Sequence, residues 1–340
     1  MTLSDATTGA TIYYTTDGST PTTSSTKYAA PISVSASDGN FYGTTSPVLL
    51  ADNEQAFATV FQVTPGDALN TLYTFTTTPI EGPLTASAGL VQGSDGALYG
   101  TTQYGGANGN GSVYKVTTAG VVTVLYSFET GTGETAAGDN GDDPLAGLTL
   151  GSDGNFYGTT NNTIFKVTSA GTLTTIYTFT GVGTEFPGSG AGISALVQGR
   201  DGNFYGTTQT GGANNQGMIF SVTPAGAFTM LYSFSGFGSQ NRGNNPVAGL
   251  IQASDGNFYG TTQFGGANGE GSVFEITPGG QFTTLYSFTS VSLTDVNTDG
   301  AQPVAALVQG SDGSLYGTTY VGGPNGAGTV FKFNAGLPAP

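Results

Sequence analysis

The chain consists largely of short segments in which apolar and polar residues alternate, the pattern of half-buried β-strands. The clearest example has four such runs, at residues 246–252, 257–262, 272–277 and 281–288. Asp255-Gly256 separates the first two runs and Pro278-Gly279-Gly280 separates the last two, which indicates tight turns at both places. The pattern therefore predicts four consecutive antiparallel strands.

This four-strand unit recurs along the whole chain. The motif Ser/Arg-Asp-Gly-x-Phe/Leu-Tyr-Gly-Thr-Thr has its Asp at positions 38, 95, 153, 201, 255 and 312, at spacings of 48 to 58 residues. Such a repeat is typical of propeller blades, since one blade is too small to bury its own faces. We predict an all-β fold, a six-bladed β-propeller of four-stranded antiparallel blades that forms a single domain over residues 1–340. The predicted blades span residues 31–76, 84–128, 144–180, 192–235, 246–289 and 303–334.

Aromatic residues occupy the same strand positions in successive repeats. They include one Tyr in each second strand, one Phe or Tyr in each third strand, and a pair two residues apart in the fourth strand, as in Tyr232/Phe234 and Tyr286/Phe288. Residues two apart on a strand share a face. We therefore predict that these rings pack between blades and do not bind a ligand.

The two ends of the chain suggest how the propeller closes. The last repeat has no fourth apolar run after residues 328–333, whereas residues 10–16 resemble the fourth run at 174–180. An N-terminal strand that completed the last blade would remove an open sheet edge. We predict that residues 10–16 form this closing strand of blade six.

Composition excludes several classes of chemistry and partner. The absence of Cys, His and Trp excludes disulfides, thiolate or imidazole metal sites, and His-based catalytic triads. Only six basic residues stand against 22 acidic ones, for a net charge of −16, so nucleic acid is not an expected partner. No apolar run has the length of a membrane-spanning helix, so direct membrane insertion is not expected either. We expect an extracellular or bacterial cell-surface location.

Two family resemblances support this location. The run Asp-Gly-Asn-Phe-Tyr-Gly-Thr-Thr, the Gly-Gly-Ala-Asn that follows it, and the Leu-Tyr-Ser-Phe strand resemble the GloVer tandem repeat of bacterial choice-of-anchor surface proteins over residues 31–333. That resemblance implies export and surface attachment, and it implies no catalytic residues. Residues 2–36 resemble a truncated form of the small β module at the C-terminus of chitobiases and hexosaminidases, which points to a parent protein related to polysaccharides.

Two acidic loops are candidate Ca²⁺ sites. Asp295, Asn297 and Asp299 fit the D-x-N-x-D-G pattern, in which alternate oxygen side chains surround a hard cation, although position twelve is Ala306 and not the Glu of an EF-hand. Asp139, Asp142 and Asp143 occupy the same place in another repeat. The alternative is that Asp and Asn simply favour turns.

Long loops after the second strands are candidate ligand sites. Amides beside aromatic rings suit sugars, because rings stack on sugar faces and amides bond hydroxyl groups. The alternative is a set of Gly-rich turns in which Asn tolerates left-handed conformations. The candidate residues are Gln103, Tyr104, Asn108, Gln209, Asn214, Gln263, Phe264, Asn268, Tyr320 and Asn325.

No catalytic residue is predicted. The repeated Asp residues are turn residues at equal positions, whereas a glycosidase needs two carboxylates in different environments that face one cleft. We predict a non-enzymatic extracellular propeller that acts as a scaffold or adhesion module and whose partner is a polysaccharide or a surface protein. The alternatives are a polysaccharide-degrading hydrolase or lyase with its site on one propeller face, and a structural unit of a surface assembly.

Overall fold

The structure is a computed structural model that describes residues 39–45, 58–64, 68–75, 88–129, 141–179, 192–235, 243–292 and 296–340, and the backbone of strands at 2–5, 12–15, 26–27 and 32–34. Every regular element in these ranges is a β-strand. The chain divides into two compact units, Met1–Thr175 and Ile176–Pro340. Among the described residues there is no helix long and apolar enough to cross a membrane.

The N-terminal strands form a sheet of their own. β1 (Thr2–Asp5), β2 (Ile12–Thr15) and β3 (Thr26–Lys27) are antiparallel, with β2 in the centre. Both edges of β2 are therefore hydrogen-bonded, and this described part of segment 10–16 is not the fourth strand of blade six that we predicted. Pairing with neighbours in sequence costs less loop-closure entropy than pairing with a strand about 300 residues away.

Six four-stranded antiparallel sheets follow, and they confirm the predicted all-β, six-bladed β-propeller. Blades one to three comprise β4 (Ile32–Val34), β5 (Phe41–Thr45), β6 (Thr59–Val63) and β7 (Leu69–Thr74); β8 (Val91–Gln92), β9 (Leu98–Thr102), β10 (Ser112–Val116) and β11 (Val122–Ser127); and β12 (Thr149–Leu150), β13 (Phe156–Thr159), β14 (Thr163–Val167) and β15 (Leu173–Thr178). Blades four and five comprise β16 (Val197–Gln198), β17 (Phe204–Thr208), β18 (Met218–Val222) and β19 (Phe228–Ser233); and β20 (Ile251–Gln252), β21 (Phe258–Thr262), β22 (Ser272–Ile276) and β23 (Phe282–Ser287).

Blade six has a different strand arrangement. Its strands are β24 (Ala301–Pro303), β25 (Val308–Gln309), β26 (Leu315–Val321) and β27 (Val330–Phe333). β24, β25 and β27 all pair with β26. Its remaining strand is thus β24, which precedes β25 in the chain and pairs with β26. In the other blades the fourth strand follows the third strand in the chain and pairs with it.

First strands are shorter than the sequence predicts. The run 246–252 contains a strand only at Ile251–Gln252. Before this run, Asn244 forms an isolated antiparallel bridge to Phe264. Each first strand is therefore a short segment beside a longer second strand.

Aromatic rings fill the core, as predicted. Phe274 is fully buried, and its ring lies over Gly260, where an added Cβ would approach Cζ to 2.6 Å. Tyr232 of blade four stacks on Phe282 of blade five, with ring centroids 4.0 Å apart and planes 7° from parallel. Tyr205 stacks on Phe258 in the same way, at 3.9 Å. Blades four and five are thus joined by ring stacking between equivalent strands.

Candidate functional site

The repeated Asp residues fasten the hairpin between the first and second strands. In each described copy, one carboxylate oxygen accepts a hydrogen bond from the backbone N–H two residues on, at 3.0–3.1 Å. The other oxygen accepts one from the Tyr hydroxyl four residues on, at 2.8–2.9 Å. We call this arrangement the Asp-Tyr clamp; its members are Asp95/Tyr99, Asp153/Tyr157, Asp201/Tyr205, Asp255/Tyr259 and Asp312/Tyr316. Asp38 lies outside the described residues.

The electrostatics of the clamp are those of a structural group. The Lys115 ammonium, 2.6 Å from Asp95, lowers the pKa of that carboxyl, and the same contact raises the pKa of Lys115. Burial and the hydrogen bond to Asp201 raise the pKa of Tyr205 to about 12. The Asp95 carboxylate therefore stays ionised and the Tyr205 phenol stays protonated over the physiological pH range, so neither is suited to transfer a proton near neutrality.

Three of the predicted ligand residues hold their own loop in place. Nδ2 of Asn108, Asn214 and Asn268 donates to the carbonyl of the Phe that follows each fourth strand, at 2.8–3.3 Å. The backbone N–H of the preceding Ala donates to a fourth-strand Ser hydroxyl in each case, at 2.8–3.1 Å. The Asn side chains thus hold a Gly-rich turn together, but none of the three adopts the left-handed conformation that our alternative assigned to Asn.

The serine partner was missed by the sequence reasoning, although the sequence contains a signal for it. Ser127, Ser233 and Ser287 end the fourth strands of the three blades that have the Gly-Gly-Ala-Asn loop. Blade three lacks the loop and has Thr178 at the equivalent position. Because the serine occurs in the blades that have the loop and is replaced in the blade that lacks it, the sequence pattern indicates that the two are in contact.

The other predicted ligand residues surround these turns. Gln103 donates to the Tyr104 hydroxyl at 3.1 Å, and Gln263 accepts from Asn245 at 2.7 Å. The Gln209 side chain lies against Gly192, Phe264 is half-buried, and Asn325 is exposed. Tyr104 and Tyr320 are 43% and 67% exposed. These two tyrosines are the most accessible aromatic rings among the described residues.

The first candidate Ca²⁺ loop is held by its own side chains. Asn297 Oδ1 accepts from the N–H groups of Gly300 and Gly323, at 2.9 and 2.8 Å. Asp299 accepts from the Tyr286 hydroxyl at 2.6 Å and from both the N–H and the hydroxyl of Thr289. Asp295 lies outside the described residues. The side-chain oxygens of Asn297 and Asp299 are thus already used as acceptors within the protein.

The second acidic loop brings two carboxylates together. Asp143 has a left-handed backbone, with φ of 50°, and one of its carboxylate oxygens accepts from Asn161 at 3.3 Å. Burial and the adjacent Asp142 raise the pKa of Asp143. Asp139 lies outside the described residues, and within the described ranges there is no group of three or more acidic residues positioned to hold a metal ion.

Comparison with known proteins identifies the repeat. The model of the Gloeobacter/Verrucomicrobia repeat family matches residues 1–194 and 162–337. No curated protein matches the chain.

Solved structures share the fold at low identity. A streptogramin B lyase structure is 16% identical with a TM-score of 0.51, over 87% of this chain and 83% of that one. An extracellular domain of a hybrid two-component system from B. thetaiotaomicron is 12% identical with a TM-score of 0.53, over 98% of this chain and 40% of that one. At such identities the likeness is one of fold, and one of these neighbours is an extracellular domain.

Proposed function

Because the chain belongs to the Gloeobacter/Verrucomicrobia repeat family, we propose that it is a non-enzymatic extracellular β-propeller that binds polysaccharide as an adhesion or scaffold module. The observation that supports this proposal is the exposure of Tyr104, in a loop after a second strand, and of Tyr320, near the end of the second strand β26, while the clamp tyrosines Tyr99, Tyr157, Tyr205 and Tyr259 are buried. An exposed ring beside amide groups is suited to stack on a sugar and to bond its hydroxyls. Gln103, which bonds the Tyr104 hydroxyl, supplies such an amide.

The non-enzymatic part of the proposal rests on the carboxylates. Those of the clamps are turn acceptors, and Asp299 is an acceptor for Tyr286 and Thr289. Hydrolysis of a glycoside requires one carboxyl group kept protonated opposite a second, ionised one. All five clamp carboxylates are bound as acceptors, and the lysines beside Asp95 and Asp312 favour the ionised form further, so the clamps do not supply the protonated member of such a pair.

The natural variation among the blades supplies mild test variants. Thr210 of blade four stands where Tyr104 stands in blade two, and Gln263 of blade five stands where Tyr320 stands in blade six. The changes Tyr104→Thr and Tyr320→Gln therefore introduce residues that the same loop already accommodates. Val121→Thr, at a residue that is 62% exposed outside these loops, is the control.

A glycan array on the wild-type protein, followed by titration of the best glycan, tests the proposal. We expect the tyrosine variants to bind at least tenfold more weakly, with an unchanged melting temperature, and the control to bind like wild type. Absence of binding to any glycan would refute the proposal. Release of reducing ends or unsaturated products would favour the polysaccharide-degrading alternative, and a large discrete mass in solution would favour a surface assembly.

Calcium remains part of the proposal as a structural ion of the acidic loops. A cation between Asp142 and Asp143 would relieve the repulsion that accompanies two adjacent carboxylates. Binding to the folded state raises its stability by mass action. We expect the melting temperature to rise with millimolar CaCl₂ and to fall again with EDTA; identical melting in both would remove calcium from the proposal.

A further inference from the structure

The outer strand of blade six has only one hydrogen-bonded neighbour. In blades one to five the third strand lies between the second and the fourth, as β22 lies between β21 and β23. β27 pairs with β26, and no other strand in the described ranges pairs with it. One edge of β27 therefore presents unpaired backbone N–H and C=O groups.

The side chains on β27 are more exposed than those of the other third strands. Val330 is 53% exposed, whereas the equivalent residues in the other blades, Val60, Val113, Ile164, Ile219 and Val273, are all 0% exposed. Val273 is buried in a cluster with Leu307 and Leu315 of the following blade, and its partner across the ladder is Tyr286 of the fourth strand. A strand at the free edge of β27 would supply Val330 with the second of these contacts.

The residues after β27 turn away from this edge. The Pro338 carbonyl accepts hydrogen bonds from the Ser254 hydroxyl at 2.7 Å and from Gln309 Nε2 at 3.0 Å, near the hairpin turns of blades five and six. Leu337 packs against the apolar cluster that includes Leu315. The C-terminal segment thus lies across the turns and not along β27.

A groove lies beside the free edge. It has a volume of about 350 Å³ and is lined by Tyr286 and Phe288 of blade five and by Val330, Phe331 and Phe333 of blade six. Between blades four and five the corresponding Tyr232 is stacked on Phe282, the first residue of the next fourth strand, at 4.0 Å. Among the described residues no ring stacks face to face on Tyr286: Phe288 meets it edge-on at 5.4 Å, and Phe333 lies at 6.1 Å, tilted by 51°. The groove therefore has room for one more ring against Tyr286.

We propose that the groove and the free edge of β27 form a docking site for one extended strand of another polypeptide, which completes blade six by β-augmentation. The register of blade five defines the sequence of that strand. Phe282 opposes Ile276 and Tyr286 opposes Val273, so the ligand carries an aromatic or aliphatic residue opposite Phe333 and a Tyr opposite Val330. Main-chain hydrogen bonds supply affinity, and the pockets for alternate side chains supply specificity.

The chain's own N-terminal strand does not fill this place, because β1 and β3 occupy both edges of β2. The five existing fourth strands are paired within their own blades. Since no strand in the described part of the chain is left to fill this place, we take the ligand to be an external strand with the fourth-strand pattern. This inference does not depend on glycan binding, which involves Tyr104 and Tyr320.

A synthetic peptide with the sequence of residues 281–289, labelled with fluorescein, is the probe, and fluorescence anisotropy with the full chain is the measurement. The control peptide has proline in place of the residue that corresponds to Thr284, because proline lacks the N–H that a ladder requires. The protein variants are Val330→Asp, in the groove, and Val308→Asp, at a residue that is 64% exposed on β25. Equal melting temperatures for the two variants show that both are folded.

We expect saturable binding of the first peptide, at least tenfold weaker binding of the proline peptide, and at least tenfold weaker binding to Val330→Asp but not to Val308→Asp. Failure of the first peptide to bind wild type would overturn the proposal, as would equal binding to both variants. A wild-type dimer in light scattering that Val330→Asp converts to a monomer would show that the occupant is a second copy of the chain, which also overturns it.

Discussion

Blade five and blade six carry the same motif, but their third strands are in different environments. β22 is covered on both edges, and Phe274 is enclosed by Phe234 and Phe282. β27 has one covered edge, Phe331 is half-buried, and Val330 is largely exposed. A similar third strand is therefore more tightly packed in blade five, where a fourth strand covers its second edge.

Truncation of the third-strand aromatic provides the largest test of this difference. We expect Phe274→Ala to lower the free energy of unfolding by about 3–5 kcal/mol, because it leaves a cavity in a filled core. Phe331→Ala should cost less than half as much, because its ring keeps part of its contact with water. Urea unfolding followed by circular dichroism measures both. Equal losses would show that a further strand covers blade six in solution.

An added methyl group under the same rings tests how firmly each is held. A Cβ at Gly260 would lie 2.6 Å from Phe274 Cζ, and one at Gly317 would lie 2.5 Å from Phe331 Cζ. Gly260→Ala should destabilise by about 1–3 kcal/mol, since the enclosed ring cannot move aside. Gly317→Ala should cost clearly less, because the Phe331 ring can shift toward the groove. The same unfolding measurement applies, and a larger loss at Gly317 would contradict this account.

Removal of the tyrosine hydroxyl from the Asp-Tyr clamp tests how much that hydroxyl stabilises the hairpins of blades five and six. Tyr259→Phe removes one of the hydrogen bonds that Asp255 accepts, and we expect the free energy of unfolding to fall by about 1–2 kcal/mol. Tyr316→Phe should cost less, because Asp312 keeps an ion pair with Lys332 at 2.7 Å. Thermal melting of the two variants and of the double variant measures these losses. A greater loss in blade six would show that the ion pair does not compensate for the hydroxyl.

The smallest expected effect is on the melting temperature at acidic pH. The Lys332 ion pair lowers the pKa of Asp312, so the folded state binds its proton less readily than the unfolded state does. The stability that this pair contributes is present above the ordinary Asp pKa of about 3.9 and is lost as the pH falls through the lower folded value. Lys332→Gln should therefore reduce the drop in melting temperature between pH 5 and pH 2. Blade five has Glu275 at this position, which lacks the cation.

An unchanged acid profile in Lys332→Gln would contradict that assignment. Between pH 5 and pH 8 we expect nearly constant melting temperatures in all these variants, because the chain contains no histidine. A transition near pH 6.5 would require another titrating group.

The strand pattern was predictable because its determinants are local. Alternating apolar residues and an Asp-Gly turn specify a hairpin such as Ile251–Gln252 with Phe258–Thr262 without reference to the rest of the chain. The pairing of Ile12–Thr15 was not predictable from its similarity to residues 174–180, because many strands share an Ile-Tyr pattern and the choice of partner depends on competing edges.

The candidate site was predictable only in part. The Asn residues of the Gly-Gly-Ala-Asn loops combine the chemistry of a sugar ligand and of a turn, and the sequence alone did not show that their side chains bond Phe carbonyls. The exposure of Tyr320, near the end of β26, depends on which strands lie beside it, and the sequence around Tyr320 does not specify them. The groove beside β27 involves two blades, so no single repeat encodes it.

The Asp-Tyr clamp has a consequence for how such a chain can change over generations. Asp201 and Tyr205 are four residues apart, and their bond sets the hairpin before any other blade is present. A duplicated repeat would therefore bring with it the bond that fixes the pairing of its own hairpin strands. The loss of one repeat would leave the hairpins of the other repeats unchanged. Gene duplication can vary the number of blades without redesigning any of them, and selection can then act on the loops that differ.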